Sequence, residues 1–159
     1  FFNLYPTCGN CNKAKLNNDA DFELYTENNT DLDVFTFKLD DQSVVEYLTS
    51  ENPKSDGLNF NFNSKEGNQL FSEKHDKMFC IQGIYDTQKD IIEELIHKKE
   101  AYTELYKNDL VDMFHNLFPD KALIDRLIVG NYVKPEDIHK RPLSKFTQDI
   151  ARDLKLIKL

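Results

Sequence analysis

Near residue 86 the spacing of apolar side chains changes from every second residue to every third or fourth. Upstream, Val34-Phe35-Thr36-Phe37-Lys38-Leu39 and Leu58-Asn59-Phe60-Asn61-Phe62-Asn63 alternate, and Asp40-Asp41 and Asn52-Pro53 punctuate them as turns. Alternation puts one set of side chains on each face of a strand, and asparagines on the polar side leave that face wet. Downstream, Ile91, Ile92, Leu95, Ile96, Tyr102, Leu105 and Tyr106 recur at helical steps in a stretch rich in Glu and Lys. No single kind of element satisfies both periods. The expected fold is therefore α+β, with a small antiparallel sheet followed by a C-terminal helical bundle.

Local punctuation divides the second half further. Asp86 or Thr87 is the expected N-cap of the first long helix, a second helix is predicted over 108–117 and ends at Phe118-Pro119, and a third spans 121–129 before Gly130-Asn131. Pro135-Glu136-Asp137 predicts one short turn, and Ser144 is the expected cap of a last helix reaching about Leu154. Residues 43–48 suit either a short helix or a third strand. Tyr102, Tyr106, Phe114 and Phe118, at helical spacing, are expected in the core. Asp90, Glu93 and Glu94 read as members of i,i+4 pairs with lysines on a wet face rather than as metal ligands.

With 40% hydrophobic and 12% aromatic residues among 159, the chain has the composition of a folded protein rather than a disordered one. It contains no apolar run long enough to span a bilayer and does not open on a secretory signal, so the expectation is a cytoplasmic protein with no membrane partner. Because the sequence starts at Phe1-Phe2, further residues are expected ahead of it. The formal charge of −8 argues against general polyanion binding. That charge is uneven, however. Residues 19–56 carry eleven acids against Lys38 and Lys54, whereas 134–159 carry seven Lys or Arg against four acids, so a polyanion is expected at the C-terminal part or at the short helix predicted to start at Asn12-Lys13-Ala14-Lys15-Leu16.

Three cysteines cannot all pair within the chain, and Cys8 and Cys11 have the C-x-x-C spacing used for metal or redox chemistry in reducing compartments. The segment Asn3-Leu4-Tyr5-Pro6-Thr7-Cys8-Gly9-Asn10-Cys11-Asn12-Lys13-Ala14-Lys15 resembles the second half of the HNH, or ββα-metal, nuclease motif. Residues 77–90, the Glu/Lys helix after them and Pro142-Leu143-Ser144-Lys145-Phe146 also resemble the C-terminal extensions of HNH nucleases in antiphage systems of the Septu and retron-associated type. The resemblance implies three regions: half of a ββα-metal zinc knuckle over 1–20, a β-rich insertion over 21–85 and a helical region over 86–159.

It also implies roles. Asn3 would hold the hairpin loop and orient the general base, Cys8 and Cys11 would form half of a structural Zn²⁺ site, and Asn12 would be a catalytic ligand to Mg²⁺ or a similar ion, in place of the usual His. Lys15 would lie near the scissile phosphate as a point charge of the DNA-binding surface. The implied activity is metal-dependent cleavage of DNA, and the implied partner is an ATPase subunit. The family's Asp-His pair and second C-x-x-C do not occur in these residues, so the 159 residues alone are expected not to cut DNA.

Two other readings stand beside this one. A non-catalytic protein-binding module would keep the zinc knuckle alone. A thiol oxidoreductase of the thioredoxin and arsenate-reductase-like kind would use Cys8 and Cys11 directly, although Pro53 lies in a polar loop rather than in a strand facing the cysteines. His75 and Cys80 are conceivable further zinc ligands. The simpler expectation is a solvated His75 and a buried Cys80, with His97 and His115 in packing or surface roles and His139 on a solvated turn beside Lys140-Arg141.

Overall fold

A computed structural model describes residues 9–15, 34–65 and 69–158. The order of elements is α1 (Gly9–Lys15), β1 (Phe35–Leu39), α2 (Asp41–Thr49), β2 (Phe60–Ser64), α3 (Gln69–Phe79), α4 (Ile81–Asp86), α5 (Lys89–Ala101), α6 (Glu104–Met113), α7 (Lys121–Val129) and α8 (Ser144–Asp153), with single 3₁₀ turns at Ser55–Gly57 and Pro135–Asp137. The α+β class and the helical C-terminal region agree with the change of period. Helices α2, α3 and α4 nevertheless occupy more of residues 34–86 than the two strands do. Residues 43–48 belong to helix α2. It starts there because the Asp40 carboxylate accepts the amide of Ser43 at 3.0 Å, a capping bond that makes Asp40 more than a turn residue.

The sheet is antiparallel, with Phe37 opposite Phe62 and Leu39 opposite Phe60. In this register the amides of Phe37, Leu39 and Phe62 and the carbonyl of Phe60 point away from the partner strand. Each finds a side chain. The Phe37 amide donates to Asp149 Oδ2 and the Leu39 amide to Asp153 Oδ2, both at 2.9 Å, so α8 lines the outer edge of β1 with carboxylates one turn apart. On the other edge, Gln82 of α4 accepts from the Phe62 amide and donates to the Phe60 carbonyl, both at 2.9 Å, taking the place of a third strand. Exposed edges invite pairing with other chains, and these side chains close them.

Phe37, Leu39 and Phe60 on the inner face pack with Ile92, Leu95 and Ile96 of α5, Ile124, Ile128 and Val129 of α7, and Phe146 and Ile150 of α8 in one buried cluster. Phe146 lies edge-on to Phe37 with ring centroids 5.1 Å apart and to Phe60 at 5.0 Å. Helix α7 fits its sequence signals closely. Asp120 accepts from the Leu123 amide at 2.9 Å, and Gly130, at φ 77°, closes the helix in the left-handed conformation.

Other expectations need correction. The second long helix is Glu104–Met113, started by Thr103, whose hydroxyl accepts from the Tyr106 amide, rather than 108–117. The first begins at Lys89 without a side-chain cap, because Asp86 and Thr87 close the preceding α4. Ser144 does not cap α8: its hydroxyl donates to the buried Asn131 at 2.6 Å, and the turn into the helix is made by Leu143 at φ 61°. Tyr106 and Phe114 are exposed and Tyr102 and Phe118 are half-buried, since α6 is covered on one side only and Leu105, Met113 and Leu117 are exposed beside them.

Candidate functional site

Helix α1 begins directly after Cys8 and packs against α3. Cys11, Asn12 and Lys15 all fall on it, positions 12 and 15 being one turn apart. Gly9, Asn10 and Lys13 are exposed and Lys15 is half-buried. Asn3 and Cys8 lie outside the described residues, as do the side-chain surroundings of Cys11 and Asn12. Two thiolates and a carboxamide are donors of the right chemistry for Zn²⁺ and a hard divalent ion respectively. They supply only part of either coordination set, and among the described residues no group of three His, Cys, Asp or Glu side chains is arranged to complete one.

His75 and Cys80 do not complete it. The expected exposures are reversed: His75 is 4% exposed and Cys80 is exposed. The histidine occurs within α3 rather than in a loop, and its ring packs against Phe35, Phe71 and Phe79 with centroids 4.9, 5.0 and 5.8 Å away. Cys80, at φ 52°, is the hinge between α3 and α4. A Cβ at Gly83 would come within 2.7 Å of the Cys80 sulfur, so glycine is needed for that close approach.

A second polar cluster joins α2 to α5. The Tyr47 hydroxyl donates to Glu93 Oε1 at 2.8 Å and lies 3.3 Å from His97 Nε2, the two α5 side chains being one turn apart. Burial, and then the bond to Glu93, raise the tyrosine pKa and keep it a donor. Sequence reading took Glu93 as half of a helical ion pair. It is Glu94 that pairs with Lys98, at 2.7 Å, while the exposed Asp90 and His115 are surface residues. Tyr47 also lines a cleft of about 420 Å³ with Glu46, Ser50, Pro53, Lys54 and Asp56. Another cleft, of about 330 Å³, lies between β2 and α3 over Asn61, Asn63, Glu73, Asp76 and Gln82. There Asp76 accepts from the Gln82 amide at 2.6 Å, which fixes the side chain that closes the sheet edge.

The third cluster was not legible as a unit. Tyr132, half-buried, has the Arg126 guanidinium carbon 4.2 Å from its ring centroid, Lys140 Nζ at 5.3 Å and the Arg141 carbon at 5.6 Å. The signal available in the sequence was Lys140-Arg141 beside His139. The contribution of Arg126 depends on the fold bringing α7 against the loop after Tyr132.

Comparison with protein-family models, with curated proteins and with solved structures finds no match for this chain. Among the described residues no helix is long and apolar enough to cross a membrane.

Proposed function

We propose that this chain belongs to a metal-dependent DNA endonuclease of the HNH type, with Cys8 and Cys11 as two ligands of a structural Zn²⁺, Asn12 as a ligand of a catalytic Mg²⁺ or similar ion, and an ATPase subunit as regulatory partner. The supporting observation is that a helix starts immediately behind Cys8 and carries Cys11, Asn12 and Lys15, the order in which such a motif needs a tether, a ligand and a cation. In phosphodiester hydrolysis a divalent ion stabilises charge on the phosphoryl and leaving oxygens. The Asn12 carboxamide oxygen would hold that ion, Lys15 would neutralise the phosphate, and Asn3 would orient the group that deprotonates water. That group is not found in residues 1–159, which contain no Asp-His pair.

The second reading is a zinc knuckle that binds a protein without catalysis. The redox alternative has less support, since the sheet among the described residues has two antiparallel strands rather than a four-stranded thioredoxin core. Elemental analysis of the full-length protein should give about one zinc per chain, lost in Cys8→Ser. The full product of the gene should nick plasmid DNA with Mg²⁺, and Asn12→Ala should abolish nicking with zinc retained. Zinc without cleavage would leave the knuckle alone, and a metal-free chain would end both readings.

A further inference from the structure

The Tyr132 cluster gathers positive charge on a chain whose net charge is −8. Residues 126–145 hold five Lys or Arg against Glu136 and Asp137. Asp137 is engaged by Lys140 at 2.6 Å, and neither Arg126 nor Arg141 is ion-paired among the described residues. Cations this close repel one another, and the two guanidiniums are held by the face of one ring rather than by a carboxylate, while Lys140 has Asp137 as its partner. A guanidinium so held keeps its N–H donors for a planar or tetrahedral oxyanion.

The mounting is firm. Buried Asn131 donates to the Pro142 carbonyl at 3.1 Å, Ser144 donates to Asn131, and Arg141 Nη1 reaches the Gly130 carbonyl at 3.3 Å, so both ends of the loop are tied to α7 and α8. Lys134, His139, Lys140 and Arg141 are all exposed, so the cations form an open strip rather than a closed pocket. An open strip suits a chain of phosphates better than a single small anion.

We propose that the face around Tyr132 binds the phosphodiester backbone of a nucleic acid, with Arg126 and Arg141 contacting phosphates and Lys134 and Lys140 extending the track. Only the choice of nucleic acid as the source of phosphodiester rests on the nuclease reading; the site is separate from the motif on α1.

Fluorescence anisotropy with a labelled single-stranded DNA tests it, titrated over a range of salt. The double substitution Arg126→Gln/Arg141→Gln should weaken binding about tenfold or more at low salt and reduce the salt slope by about 1.4. Lys134→Gln/Lys140→Gln, on exposed loop positions, should reduce the slope likewise without touching the Arg126–Tyr132 stack, and a thermal melt confirms that each variant is folded. Unchanged affinity and slope in both variants, or no binding by the unsubstituted chain, overturns the proposal. Displacement of the DNA by millimolar inorganic phosphate would also overturn it and assign the cluster to a free anion. Retained DNA binding with no cleavage by the full gene product would instead count against the nuclease reading alone.

Discussion

One buried lysine and two carboxylates show how much a side chain's setting decides its behaviour. Lys107 is 1% exposed, and its ammonium lies 2.7 Å from Asp125 and 3.5 Å from Glu104 and donates to the Leu156 carbonyl, anchoring the C-terminal segment beneath α6 and α7. A lysine so deep is tolerable only with such partners. Glu104 also accepts from Lys121, and this bond, with Lys107 and Lys158 nearby, holds its carboxyl down at about 2. A carboxyl with a depressed folded-state pKa contributes stability above its ordinary value of 4.5 and loses it as pH falls from there toward about 2. Asp149 has the opposite sign: burial pushes its carboxyl up despite Lys145, the Phe37 amide and Arg152, so its contribution declines as pH rises above the usual carboxylate range. Urea melts of Glu104→Gln should therefore show a shallower loss of stability between pH 5 and 2 than the unsubstituted protein. An unaltered acid limb would mean that the Lys121 pair does not persist in solution.

At the level of elements, the two-stranded sheet depends on helices for what neighbouring strands normally supply. An isolated pair of strands is marginal in water, and here its outer edges are satisfied by Asp149 and Asp153 on one side and by Gln82 on the other. Gln82→Ala should cost about 2 kcal/mol in chemical denaturation, because the Phe62 amide and the Phe60 carbonyl both lose their partner. A loss below a few tenths would show that water replaces the amide without penalty. Alternation and caps made β1, β2 and α7 legible in advance, since those signals act over a few residues. Residues 69–86 gave no comparable signal, and the break at Cys80 depends on a left-handed residue that is not glycine.

For the whole molecule, Phe146 is the point where sheet and helices meet, fully buried against Phe37, Phe60 and Tyr85. Truncating it in Phe146→Ala should destabilise the protein by about 3–5 kcal/mol, read as a fall in the denaturation midpoint with the slope preserved. A change of less than 1 kcal/mol would place the core elsewhere. The sequence by itself determined the class of fold, the span of α7 between Asp120 and Gly130 and the short turn at Pro135, because capping bonds and helical or strand periodicity are local. The reading of Cys8, Cys11, Asn12 and Lys15 as one motif is a proposal from sequence, and Cys8 lies outside the described residues. Only the tertiary structure decided that His75 is buried and Cys80 is not, that α8 carboxylates cap a strand 112 and 114 residues away, and that Arg126 joins Lys140 and Arg141 on one ring. Those outcomes depend on partners brought close by packing, which no spacing along the chain encodes.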